Sequence, residues 1–229
     1  MSTDRFVKFR INVRLVSEIN CHEVCLFADD ENLVDRFAIG MMGLDPDELL
    51  LEPCPLSAQN ISHVAIIARC KCGHTYCGSK GVKICRELDL VIWTALDSPN
   101  NVQFLAAQYD AEIERALGDF SWESPDRTAA RLLAKAVDRT VLEDRGFEFE
   151  WASGRFRKGM LTVYLTLQPG PYQVLLNLPW DGKSIEEIVD RTKLLLSTAP
   201  ESWPNVEWSY PENGLDSPPI SGSGWKEWV

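Results

Sequence analysis

SHVAIIARCKCGHTYCGSKGVKICREL, residues 62–88, is the stretch whose reading decides how the first half of this chain folds. Its two ends are apolar and rich in β-branched residues, and they flank RCKCGHTYCGSKG at 69–81, which holds three cysteines, a histidine and three glycines. The flanks read as strands and the middle as the turn that joins them. Cys70, Cys72 and Cys77 therefore sit where one strand ends and the next begins.

Working outward, FVKFRINVRLV (6–16) alternates well enough to be a strand with one buried face, and EVCLFA (23–28) reads as its hairpin partner. LVDRFAIGMMGLDPDELLL (33–51) reads as a short helix broken at Gly40 and Gly43, then a turn at Asp45-Pro46 and a further helical turn. With LVIWTAL (90–96) added, residues 5 to 96 are expected to form a mostly antiparallel sheet. From 106 the period changes: Tyr109, Ile113, Ala116 and Leu117 share one helical face. A second helix is marked by Ser124 as N-cap and Pro125 at its first position, and a third by Ser184 and Glu187, which fit a capping box. Three strands lie between them: FEFEWAS, GMLTVYLTLQ and YQVLLNLPW. The tail from Pro200 carries Trp203, Trp208, Trp225 and Trp228 among prolines and glycines, and is expected to wrap the body in extended form.

The expected class is thus α+β, a mostly antiparallel sheet with about three main helices. We read residues 1–229 as a single body, with a subdivision into a sheet-rich 1–100 and an α/β 101–229 as the rival. A stretch at 120 to 125 is a further candidate boundary. The chain of 229 residues is 45% hydrophobic and long enough to bury a large core.

A net charge of −11 disfavours nucleic acid and anionic membranes, because phosphate binding needs clustered Lys and Arg. A basic protein partner is the natural complement. Residues 29 to 52 carry eight acidic side chains against one base, Arg36. Asp29, Asp30, Glu31, Asp35, Asp45, Asp47 and Glu48 are the candidate partner-binding residues, since a field of one sign speeds association with an oppositely charged protein. A solvated acidic face is the plainer reading of the same residues. The N-terminus lacks an apolar secretion segment and no stretch of eighteen residues is free of charge, so a cytoplasmic protein without a membrane partner is expected.

Seven cysteines in that compartment should be reduced or metal-bound, and the odd number suits no complete set of disulfides. Zinc takes four Cys or His ligands in a tetrahedron, and glycines let thiolates on a turn converge. A structural zinc on Cys70, Cys72 and Cys77 is the expected cofactor, with Cys85, Cys54 or His74 as fourth ligand; Cys85 completes the set we adopt. Buried reduced thiols and a disulfide or redox role are the alternatives. The C-x-C-x4-C spacing is similar to the zinc-binding post-SET segment of protein lysine methyltransferases, although the Asn-His-Ser-Cys motif of those enzymes does not occur here.

The first half also resembles a loosely defined group of uncharacterised bacterial proteins, some of them immunity-like. The shared features are Leu33-Val-Asp-Arg36-Phe37, then C-x-C-G-x-x-x-C-G, then Val91-Ile-Trp93, then Gln108-Tyr109. The resemblance implies a protein that binds and neutralises a partner. None of the short motifs of serine hydrolases, zinc proteases or phosphate-binding loops occurs. An enzyme using Cys or His chemistry, with His63 paired in space to a Cys or Asp, is one alternative function, and a zinc-stabilised assembly component is another.

Overall fold

The computed structural model describes residues 6–17, 21–50, 53–72, 77–168, 172–180, 184–210 and 217–228. Backbone contacts group into two compact units, Met1–Trp122 and Glu123–Val229, and each builds its own apolar core.

In the first unit, β1 (Phe9–Val16), β2 (Cys21–Ala28) and β3 (Glu31–Asn32) form a three-stranded sheet in that order. β1 and β2 are antiparallel from Phe9 opposite Ala28 to Val16 opposite Cys21. The alternation read from the sequence holds at one end of β1, where Phe9 and Ile11 are buried, and fades at Leu15, which is 54% exposed. After α1 (Leu33–Phe37) come β4 (Met42–Gly43), α2 (Pro46–Leu49), β5 (His63–Arg69), β6 (Ser79–Glu87), β7 (Leu90–Ala95) and β8 (Asn101–Leu105). β4 to β8 make a second sheet with each strand antiparallel to the next in sequence. Residues 5 to 96 therefore divide between two sheets, and β8 occupies the stretch just after the Ser98-Pro99-Asn100 turn, so a cut at residue 100 would split the β7–β8 hairpin.

Gly43 corrects the reading of 33–51 as a helix with glycine breaks. It lies in β4, which ties the two sheets together: the Val24 N–H donates to Leu44 O at 2.9 Å, while Met42 and Gly43 pair with Arg69 and Ala68. The Glu23 carboxylate, 5% exposed, fixes the join by accepting the Gly43 N–H at 2.7 Å and the Arg14 guanidinium at 3.0 Å. A buried charge held by both a cation and an amide is compensated for its lost hydration.

α3 (Ala106–Leu117) buries Tyr109, Ile113 and Ala116, the face its periodicity marks. Phe9 stacks on Tyr109 at 4.5 Å and meets Trp93 and Phe104 at 5.3 and 5.0 Å, which makes an aromatic centre for this core. The Tyr109 hydroxyl donates to Leu56 O and accepts from Trp93 Nε1, and burial pushes its phenol well above the usual range. The polar stripe of α3 also bonds to backbone. Gln108 accepts the Phe9 N–H and donates to Phe9 O, both at 2.8 Å; Glu112 accepts the Ile11 N–H at 2.7 Å, and Arg115 donates to Ile11 O at 2.6 Å.

The second unit contains α4 (Pro125–Ala136), α5 (Arg139–Glu143), β9 (Phe147–Ser153), β10 (Met160–Leu167), β11 (Tyr172–Pro179), α6 (Ile185–Leu196), β12 (Val206–Ser209) and β13 (Trp225–Glu227). The sheet order is β9 to β13 in sequence, antiparallel except for the parallel pair β12–β13. α4 starts on Pro125 as expected, but Ser124 caps it through its carbonyl, which accepts from the Arg127 and Thr128 amides, and not through its hydroxyl. Ser184 does cap α6, accepting the Glu187 N–H at 3.1 Å. The tail is more regular than an extended wrap, because it supplies β12 and β13. Trp203, Trp208 and Trp225 are buried in the core, and Trp203 lies parallel to Trp225 with centroids 6.3 Å apart.

The fold is α+β with helices and predominantly antiparallel sheets. Among the described residues there are six helices, of which α3, α4 and α6 have twelve residues each, and the sheets number three.

Candidate metal centre

The β5–β6 hairpin positions the cysteines. Its last strand pair is Arg69 opposite Ser79, and beyond it the Cys70 N–H donates to Gly78 O at 3.0 Å, so the two arms are still hydrogen-bonded as they leave the sheet. Gly78 has φ +133, a backbone conformation that only glycine adopts without strain. Cys70, Cys72 and Cys77 are brought together there, with all three Sγ atoms within 4.8 Å of one another. Tetrahedral zinc with bonds of about 2.3 Å needs sulfurs about 3.8 Å apart, so the cluster fits the ion after a contraction of about 1 Å or less. Cys70 is half-buried and the other two are exposed.

The thiols act on one another. The Cys72 backbone N–H, followed by the Cys72 and Cys77 thiols, holds Cys70 below the usual thiol range. Hydrogen bonding to Cys72 first, then to Cys70, pushes Cys77 up to about 11. Cys70 thus loses its proton more readily than Cys77.

Cys85 does not join them. Six residues beyond Ser79 in β6, it is carried about 20 Å along the strand at about 3.3 Å per residue, and it pairs across β7 with Ile92. This corrects the four-cysteine set: a strand leaving the turn takes every later residue away from it. Cys54 is buried in the first unit's core, where its thiol donates to Leu49 O at 3.1 Å. His74 lies outside the described residues.

The acidic residues are placed on several tasks. Asp29, with φ +54 in the β2–β3 turn, accepts the Lys8 N–H at 2.9 Å. Glu31 pairs with Arg36 at 2.9 Å, and exposed Asp30 lies 3.7 Å from Arg10. Asp45, buried, is the N-cap of α2 in a reciprocal box with Glu48, whose carboxylate also meets Arg69 at 2.8 Å. Asp35 and Asp47 are exposed on α1 and α2. Asp-x-x-Glu with proline at the first helical position is a sequence signature of such a box, so the roles of Asp45 and Glu48 could have been found without a structure.

His63 donates from Nε2 to Pro55 O at 2.8 Å, and His22 packs its ring 5.7 Å from that of Trp122. In the second unit a row of rings lies partly exposed, Tyr164, Trp151, Phe156 and Trp228, with successive centroids 5.2, 5.6 and 6.3 Å apart. Sequence reading had no signal for it, since the rings come from three separate segments. Among the described residues no helix is long and apolar enough to cross a membrane. Compared with models of protein families, with curated proteins and with solved structures, the chain matches none.

Proposed function

We propose that this chain is an acidic, zinc-stabilised binding protein that acts in the cytoplasm on a basic partner protein, in the manner of an immunity or antitoxin-like inhibitor. The observation that carries the zinc is the convergence of Cys70, Cys72 and Cys77 at an exposed hairpin tip. Support for binding comes from the exposed carboxylates Asp30, Asp35 and Asp47 in a chain of net charge −11.

Protein purified without chelator is expected to contain close to one zinc per chain by elemental analysis. Cys72→Ser should reduce that content severely and loosen the β5–β6 hairpin, because the binding free energy of a structural site is also folding free energy. Metal-free native protein, or a Cys72→Ser variant with unchanged zinc, would remove the assignment. The binding surface is tested separately. Replacing Asp30 and Asp35 with Asn should slow association with the basic partner several-fold at low salt, with the difference shrinking as screening shortens to about 8 Å near physiological ionic strength. An on-rate indifferent to both changes would exclude these carboxylates.

A further inference from the structure

The sheet of β4 to β8 covers the first core with one face only. Val82, Ile84, Val91, Trp93 and Phe104 point into that core and are 0% exposed. The alternate positions turn to the other side. β6 runs through the middle of the sheet with Lys83, Cys85 and Glu87 outward, and the registers set Val64 and Thr94 beside Lys83, Ile92 beside Cys85 and Leu90 beside Glu87. On this side Val64, Ile66 and Leu105 are 53, 40 and 46% exposed. A contiguous apolar face of this kind on a globular chain marks a place where another protein surface docks.

We propose that the outer face of the β4–β8 sheet is a self-association surface, on which a second copy of the chain docks about a two-fold axis with Lys83 of each copy against Glu87 of the other.

The charges decide the occupant. Each chain carries −11, so two copies repel over most of their surface. In the rows that cross β6 at residues 83, 85 and 87 the charged side chains are one cation, Lys83, and one anion, Glu87, both exposed, and they cancel. Two copies meet there without the general repulsion. A basic partner would instead bring a like charge to Lys83. The placement of the pair matters as much as its sum, because Lys83 and Glu87 stand symmetrically on either side of Cys85 in one strand. A two-fold axis along the Cys85–Ile92 row runs each β6 antiparallel over its copy. It sets Lys83 over Glu87 twice and lays Cys85 on Cys85 and Ile92 on Ile92, an isologous contact with an apolar centre between two ion pairs. Two antiparallel sheets packed face to face in this way follow the geometry of a sandwich, about 10 Å apart.

Sedimentation velocity of the full chain over micromolar concentrations should show a monomer–dimer equilibrium. Lys83→Glu, which stacks like charges at both crossings, should weaken dimerisation about tenfold or more. Adding Glu87→Lys to it should restore the dimer, since the reversed pair meets in the same geometry, and that restoration separates a lost contact from a damaged fold. Sheets about 10 Å apart hold the two Cys85 residues too far apart for a disulfide, whose Cα atoms must come within about 7 Å, but within reach of a short bis-maleimide. That reagent should link Cys85 to Cys85 across the dimer, read as a peptide pair by mass spectrometry and lost in Cys85→Ser. A chain that stays monomeric, a dimer that ignores Lys83→Glu or is not restored by the double exchange, or a crosslinked dimer lacking the Cys85 pair would overturn the proposal.

Discussion

Gly43→Ala is expected to destabilise the first unit by about 3 kcal/mol, at the upper end of the usual cost of overpacking. A Cβ at this position would stand 2.2 Å from Val24 O and 3.0 Å from Glu23 Cγ. Both atoms belong to β2, which is held along eight residues by β1 and cannot give way cheaply. Relief by moving β4 outward would break the Val24–Leu44 hydrogen bond and the bond from Gly43 to Glu23, leaving a buried carboxylate short of a donor. Gly40 is the informative control. Its φ of +81 makes it the conformationally special residue of the pair, yet an added Cβ there meets nothing within 4 Å. Gly40→Ala should cost about 1 kcal/mol from backbone strain alone. Urea unfolding followed by fluorescence would compare the two, and a Gly43→Ala loss no greater than that of Gly40→Ala would refute the close-approach argument.

Trp203→Ala should be comparably severe in the second unit, with a loss of about 3–5 kcal/mol for a fully buried aromatic residue. The indole is 0% exposed, packs against Phe147 at 5.2 Å and Trp225 at 6.3 Å, and donates from Nε1 to Leu195 O at 3.0 Å. Truncation would open a cavity beneath α6, while Leu195 O would keep its bonds from the Thr198 N–H at 2.9 Å and the Thr198 hydroxyl at 2.7 Å. Trp225 would lose its stacking partner, although its own bond to Pro200 O remains. Trp228, 45% exposed beside Phe156, has no such role in the core. Trp228→Ala should change stability by about 0.5 kcal/mol or less, within the range of ordinary surface substitutions. Equal losses at the two positions would contradict the division of the tail into a buried part and an exposed part.

Local pattern was enough to read much of the fold. Phe9 and Ile11 alternate as a half-buried strand should, Tyr109, Ile113 and Ala116 recur at helical spacing, and Ser184 stands where a cap is needed. β4 escaped because nothing in Met42-Gly43 marks a strand; the pairing depends on Glu23, twenty residues away, and on β5. β8 escaped because a turn-rich Ser98-Pro99-Asn100-Asn101 run hid the strand that starts within it. At the site, the three converging cysteines were legible since one hairpin carries them all. The fourth position was not, because a choice among Cys54, Cys85 and His74 requires the path of the chain through space. Seen in sequence, the seven carboxylates formed one charge run; in the fold, caps and ion pairs divide them among separate tasks.

The polar stripe of α3 has a consequence for the protein in concentrated solution. β1 ends its sheet, and the open backbone of a terminal strand is a template on which another chain can extend the sheet. Gln108 occupies both backbone groups of Phe9, and Glu112 with Arg115 occupies those of Ile11, so the helix imitates the missing neighbour strand with side chains alone. Colloidal safety of the first unit thus depends on three long polar residues spaced four and three apart. Their loss would be felt less in the melting of a dilute sample than in the crowding at which copies begin to adhere.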